Sequence, residues 1–83
     1  MTAHVTLVVA DWCPVCPRAK ELWRSLRQPH DFHYNEVDIA SPDGEELAAR
    51  YNLLSVPTTV IDDRVAFVGV PPYGEAMQEV TTT

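Results

Sequence analysis

The feature that most constrains the fold is a pair of cysteines, separated by two residues, at the junction between an apolar and an amphipathic stretch. Cys13 and Cys16 are the chain's two cysteines, and they lie between the apolar run 5–10 and the amphipathic stretch 18–28. A strand that leads into a helix leaves the helix's first N–H groups, and the positive end of its dipole, facing the turn. A thiolate suits that place, so the spacing predicts an attacking Cys13 and a resolving Cys16 one turn further on.

The length and net charge of the chain limit the number of domains and the kinds of partner that the protein can have. Eighty-three residues provide a single small core, so we expect one domain over 1–80 and a disordered tail at 81–83. The formal net charge of −6 argues against a nucleic-acid partner. The first residues lack the layout of a signal peptide, and no run reaches membrane-spanning length. We therefore expect a cytoplasmic protein with no membrane partner, where paired cysteines are more often redox-active or metal-binding than structural.

The basic residues are unevenly placed along the chain. Arg18, Lys20, Arg24 and Arg27 all fall in the first amphipathic stretch, while the acids are spread over the remainder. One interpretation is a solvated helix face. The other is that Arg18 or Lys20 adds positive potential near the thiols or meets an acidic partner.

The first half of the chain has the pattern of a strand, a helix and a second strand. Residues 4–10 form a continuous apolar and β-branched run, which is typical of a central strand covered on both faces. Pro14 suits the first position of the following helix, whereas Pro17 is expected either to loosen the first turn or to cause a slight bend after Cys16. Residues 32–39 then predict a second strand, parallel to the first because a helix connects them.

The second half predicts a helix, a hairpin and a final helix. Ser41 is a candidate N-cap, and Asn52 can close that helix in the left-handed conformation. Residues 56–61 and 64–68 predict two strands joined by a turn at 62–63. A short helix over 73–80 would follow. We expect its inward side chains to be Ala76, Met77 and Val80.

The order β-α-β-α-β-β-α, with a CxxC motif leading the first helix, resembles the thioredoxin fold in its short, glutaredoxin-like form. The matching segments are WCPVC at 12–16, SVPTT at 55–59 and the strand that ends at 37–38. The resemblance implies an α/β protein with a four-stranded mixed sheet.

The resemblance also implies roles for individual residues. Cys13 matches the nucleophile, Cys16 the resolving cysteine, and Pro57 a cis-proline that faces the pair. The backbone of Val56 would then pair with an extended substrate strand. The expected substrate-binding side chains beside the cysteines are those of Trp12, Pro14 and Val15. Trp12 has a second interpretation, as a partly buried anchor beside the first strand.

The sequence differs from both thioredoxins proper and glutaredoxins, and these differences indicate which subfamily it resembles. Thioredoxins carry Gly-Pro between the cysteines and a buried carboxylate in the preceding strand, whereas this chain has Pro-Val and an apolar strand. Glutaredoxins place a basic residue before the motif and a Gly-Gly-Asp-type segment after the hairpin, whereas this chain has Asp11 and a single Gly69. The combination is similar to small glutaredoxin-like redoxins that serve ribonucleotide reductase and are recycled by thioredoxin reductase, and to archaeal and bacterial redoxins with CPxCP motifs.

These features predict a monomeric thiol-disulfide oxidoreductase without a cofactor, reducing protein disulfides as an electron donor to ribonucleotide reductase or a similar protein. Its electrons would come from a thioredoxin reductase-type enzyme or from glutathione. If glutathione is the source, the protein would be a glutathione-dependent glutaredoxin, which is the first alternative. Alternatives of another class are a metal-binding module and a partner-binding adaptor. Structural zinc needs four ligands, and His4, His30 and His33 supply no second pair with suitable spacing, so we predict no metal site.

Overall fold

A four-stranded mixed sheet forms the centre of the protein in a computed structural model that describes residues 2–81. In chain order the elements are β1 (His4–Val9), α1 (Cys16–Leu26), β2 (His33–Asp38), α2 (Pro42–Tyr51), β3 (Thr58–Ile61), β4 (Arg64–Val68) and α3 (Tyr73–Thr81). The strand order is β2-β1-β3-β4, with β2 parallel and β3 antiparallel to β1. This is the thioredoxin fold, so the predicted fold class is confirmed.

β1 is an interior strand, as its unbroken apolar run predicted. The side chains of Leu7 and Val8 are fully buried, because β1 pairs on both edges and is covered on both faces. Val8 lies opposite Thr58 of β3 and Val37 of β2. The carboxyl end of β1, from which the cysteine motif emerges, is therefore held between two neighbouring strands.

The start of α1 differs from the prediction. Pro14 was expected at the first helical position, but the helix begins at Cys16 and Val15 is its N-cap residue. Pro17 thus falls in the first turn, where its missing N–H would have had no helical partner, and the helix continues from it to Leu26. The prediction for Pro14 was wrong because Pro17 is equally compatible with the first turn of a helix, and the sequence alone does not tell which of the two occupies it.

The inner face of α1 fixes the helix to the sheet. Its buried residues are Cys16, Ala19, Trp23 and Leu26. The indole N–H of Trp23 donates to Thr59 Oγ1 of β3 at 3.2 Å, and its ring meets Phe32 edge-on at a centroid distance of 6.1 Å. A buried tryptophan with its polar atom satisfied thus anchors the second half of α1 to the sheet.

The caps of α2 and the hairpin turn follow the predictions. Ser41 Oγ accepts a hydrogen bond from the N–H of Gly44 at 3.0 Å, and Asn52 closes α2 with φ 55°. Asp62 and Asp63 also adopt positive φ, and this reverses the chain direction between β3 and β4. In each case the side chain of one residue favours the backbone conformation that is found at that position.

The last helix departs from its prediction at two positions. Ala76 and Val80 are buried, but Met77 is exposed, so the prediction that Met77 packs inward was wrong. Thr81 belongs to α3, while residues 82–83 of the predicted tail lie outside the described part. An ion pair between Arg64 and Glu79 joins β4 to α3. None of the helices within residues 2–81 is long and apolar enough to cross a membrane.

Candidate active site

The two cysteines are joined as a disulfide at the carboxyl end of β1. Their Cα atoms are 5.5 Å apart, which suits a disulfide. Cys13 lies in the loop before α1, where its N–H donates to the carbonyl of Ala10 at 3.2 Å, and Cys16 is the first residue of the helix. Cys16 is 1% exposed and Cys13 is 6% exposed. Of the two cysteines, the one in the loop is the more exposed residue.

The electrostatic setting of the pair comes mainly from α1. The positive end of the helix dipole faces the turn that carries both cysteines, and it favours a negatively charged sulfur there. The charged residues nearest the pair along the chain are Asp11, two residues before Cys13, and Arg18, two residues after Cys16. Both are exposed to solvent, so the repulsion of a thiolate by Asp11 and its attraction by Arg18 are screened.

The residues expected to contact a substrate next to Cys13 lie at the surface. Trp12 is 75% exposed, which argues against its interpretation as a partly buried anchor beside the first strand. Pro14 and Val15 are also exposed. These three exposed apolar side chains are the chain neighbours of a nearly buried disulfide, and we call them its apolar rim. An exposed tryptophan beside two small apolar side chains is suited to contact another protein.

The Pro57 loop reaches the same end of the sheet. Because Val8 pairs with Thr58 in antiparallel register, Pro57 follows on beside Val9, at the end of β1 from which Cys13 emerges. The peptide bond between Val56 and Pro57 is cis, Pro57 is buried, and Val56 packs against the core cluster that contains both cysteines. The topology thus brings two segments that are forty residues apart to one edge.

Gly69 is a residue of this edge that the sequence interpretation missed. In the sequence it stood out only as the single glycine after the hairpin, but its N–H donates to the carbonyl of Pro57 at 2.7 Å. Its φ of +88° is one that residues with side chains rarely adopt. The available signal was a lone glycine just after the hairpin, and it suggested only the end of a strand.

The interior beneath the cysteines contains no carboxylate. Within residues 2–81 the buried polar side chains are those of Thr58 and Thr59, and neither can ionise at neutral pH. Thr58 Oγ1 donates to the carbonyl of Ser55 at 2.7 Å, and Thr59 accepts from Trp23. The environment of the disulfide is therefore apolar, with hydrogen-bonded hydroxyls.

The histidines lie away from this edge. His4 and His33 begin β1 and β2, where their rings stack at a centroid distance of 4.4 Å, at the opposite end of the sheet from Cys13. In the part of the chain that the structure describes, no three His, Cys, Asp or Glu side chains are grouped in a way that could hold a metal ion.

Comparison with known proteins agrees with this arrangement. The family model described as thioredoxin domain matches residues 3–82. The chain belongs to the thioredoxin domain family. Members of the family include a probable thioredoxin of Methanothermobacter thermautotrophicus, 26% identical over 83 residues, which cover 96% of this chain and 94% of the relative. A probable thioredoxin of Archaeoglobus fulgidus is 26% identical over 72 residues, with coverages of 87% and 79%.

Solved structures show the same thioredoxin fold. A mutant thioredoxin of Halobacterium salinarum superposes with a TM-score of 0.77 at 22% identity, covering 94% of this chain and 71% of the other. A CxxC pair in this fold and in this family is the dithiol of a thiol-disulfide oxidoreductase, and that general activity is assigned to the present thioredoxin-like protein.

Proposed function

We propose that this thioredoxin-like protein reduces protein disulfides, with Cys13 as the nucleophile and Cys16 as the resolving cysteine. The observation that carries the proposal is the Cys13–Cys16 disulfide, which lies next to its apolar rim at the edge reached by the Val56–Pro57 loop. The greater exposure of Cys13, and the position of Cys16 as a buried first residue of α1, support this division of roles.

The proposed reaction is two successive thiolate exchanges. The Cys13 thiolate attacks one sulfur of a substrate disulfide; a bond from Cys13 to that sulfur forms, the substrate S–S bond breaks, and the leaving thiolate takes up a proton. The Cys16 thiol then loses its proton and attacks the Cys13 sulfur, which forms the Cys13–Cys16 disulfide and releases the second substrate thiolate. Two electrons pass to the substrate, and the dithiol is oxidised.

The Val56–Pro57 loop is proposed to align the substrate. The carbonyl of Pro57 already accepts from Gly69, and proline has no N–H, so the backbone of Val56 is the one left to pair with an extended substrate segment. Trp12, Pro14 and Val15 would cover the other side of that segment. Apolar and backbone contacts of this kind select extended, accessible disulfides more than particular side chains.

We further propose that a thioredoxin reductase-type enzyme, rather than glutathione, supplies the electrons. Exposed Asp11, directly before the motif, would repel the carboxylates of glutathione. We expect the protein to act as a monomer. In a reducing compartment such as the cytoplasm, its two cysteines would be kept reduced and available as a dithiol. Ribonucleotide reductase is one candidate acceptor, since the chain is similar to small redoxins that serve it.

The electron source is tested by coupled turnover of a disulfide-containing protein with NADPH as the final reductant. We expect faster turnover with thioredoxin reductase than with glutathione and glutathione reductase. Asp11→Lys should raise the glutathione-dependent rate by about fivefold, since an exposed charge pair contributes up to about 1 kcal/mol.

Asp31→Lys is the matched control for Asp11→Lys, because it makes the same charge change at an exposed residue just before β2, at the far end of the sheet. Its glutathione-dependent rate should stay close to that of the unaltered chain. Faster turnover of the unaltered chain with glutathione than with thioredoxin reductase would contradict the proposed electron source and favour a glutaredoxin.

A further inference from the structure

The surface of this protein is divided into one basic helix and an acidic remainder. Four of the six Lys and Arg residues lie at 18–27, with Glu21 as the acid among them. The rest of the chain carries two basic and eleven acidic residues. The electrostatic potential close to this helix is therefore positive, although the net charge of the whole chain is −6.

The basic side chains lie on the outer face of α1. The inner face is occupied by the core, whereas Arg18, Arg24 and Arg27 are exposed and Lys20 is partly so. This face carries a groove of about 500 Å³. Its lining residues are Pro17, Lys20, Glu21, Arg24, Ser25 and Gln28. Because Pro17 directly follows Cys16, the groove begins at the active-site end of the helix.

Two acids, Glu21 on the helix and Glu36 of β2, offset only half of the charge of the four basic residues. Glu36 of β2 accepts two hydrogen bonds from Arg24, at 2.6 and 2.8 Å, and one from Tyr34 at 2.7 Å. Burial would raise the pKa of Glu36, but these hydrogen bonds and the charges of Arg24 and Lys20 outweigh it and lower the pKa. One carboxylate thus satisfies Arg24, and no residue within 2–81 makes an ion pair with Lys20 or Arg27.

We infer that the outer face of α1 docks an acidic segment of the protein whose disulfide exchanges with Cys13. The inference rests on the proposed function. Residues 17–26 span about 14 Å along α1, which matches about four residues of extended chain, and the groove continues past the end of the helix to Gln28. Lys20 follows Cys16 by about 6 Å along the axis, so the acidic run would begin a few residues from the substrate cysteine.

A short acidic protein segment fits this face better than a nucleic acid does. At about 0.1 M salt, charges separated by more than about 10 Å are largely screened, so a short run senses α1 and not the acidic remainder. An extended polyanion would also lie against the eleven acids elsewhere on the molecule and be repelled.

The test compares two synthetic peptides with the same intramolecular disulfide. One carries a run of five glutamates beginning three residues after the second cysteine, and the other carries five glutamines there. The reduced protein is mixed with each in about 0.1 M salt, and the second-order rate constants are measured. We expect the acidic peptide to react about tenfold faster, and the ratio to approach one in about 1 M salt, where screening acts within about 3 Å.

Two double variants locate the effect. K20Q/R27Q should bring the ratio of acidic to neutral rates down to about twofold or less. R50Q/R64Q removes the same net charge from the two basic residues outside α1 and should retain the full ratio. Equal ratios in the two variants would overturn the inference, because the effect would then follow net charge and not the helix.

Further outcomes separate the inference from the function on which it rests. Equal rates for the two peptides with the unaltered protein would overturn the inference alone. Failure to reduce either peptide would overturn the proposed function and, with it, this inference. Competition by a short single-stranded DNA at concentrations where a pentaglutamate peptide does not compete would overturn the choice of an acidic protein segment.

Discussion

Replacing Cys13 by serine is expected to lower the rate of protein disulfide reduction on the order of a thousandfold or more, because a thiolate and not an alcohol is the nucleophile in exchange. Cys13→Ser leaves Cys16 as the sole thiol, at 1% exposure in the first turn of α1, where a substrate protein cannot reach it. The rate is measured with a protein disulfide and a chemical reductant that keeps the enzyme reduced. Substantial turnover in this variant would contradict the assignment of the nucleophile.

Cys16→Ser is the matched variant, and it should lose turnover in a different way. Cys13 can still attack, but nothing resolves the product, so a covalent complex between the protein and its substrate should accumulate and be visible by intact mass. The double serine variant should form none. If that double variant instead binds the same partners as tightly as the unaltered chain, the adaptor interpretation would replace the enzymatic one.

Gly44→Ala is expected to destabilise the protein by about 3 kcal/mol, although alanine normally favours a helix over glycine by about 1 kcal/mol. A Cβ at this position would overlap the carbonyl oxygen of Asp38 and lie 2.7 Å from the Cα of Ile39. These are backbone atoms of the last residue of β2 and the first residue of the β2–α2 connection, which cannot rotate away as a side chain could. Gly44 also donates to Ser41 Oγ, so a shift of α2 would disturb its N-cap.

Gly74→Ala is the control for Gly44→Ala. Gly74 lies in the first turn of α3, and a Cβ there would meet nothing within 4 Å. This variant should be as stable as the unaltered chain or up to about 1 kcal/mol more stable. Both are measured by thermal and urea unfolding, and about 3 kcal/mol should lower the midpoint by more than about 10 °C in a domain of this size. Equal stability of the two variants would contradict the close approach of α2 to the β2–α2 connection.

The parts of the fold that were predictable from sequence are those determined by short-range chemistry. Ser41 capped a helix, Asn52 closed it, and Asp62 with Asp63 turned a hairpin, because each side chain favours one local backbone conformation. The apolar run before the cysteines predicted an interior strand for a similar reason. Sequence spacing also placed Cys13 and Cys16 at the junction of β1 and α1.

Features that depend on packing could not be predicted in this way. Pro14 and Pro17 are both compatible with a first helical turn, and only the docking of α1 on the sheet places Cys16 first. Met77 is apolar at a helical spacing but faces solvent, because Ala76 and Val80 already fill the contact with the core. The roles of Gly44 and Gly69 arise from segments distant in sequence, so no local pattern reveals them.

The most direct test of the central claim is a redox titration of the unaltered protein in glutathione buffers, with intact mass recorded at each point. A dithiol electron donor should pass cleanly from two thiols to the Cys13–Cys16 disulfide, with a midpoint between about −270 and −200 mV. A persistent glutathione adduct would point to a glutaredoxin. A midpoint near about −120 mV, as in strong oxidants, or the absence of any intramolecular disulfide would contradict the account.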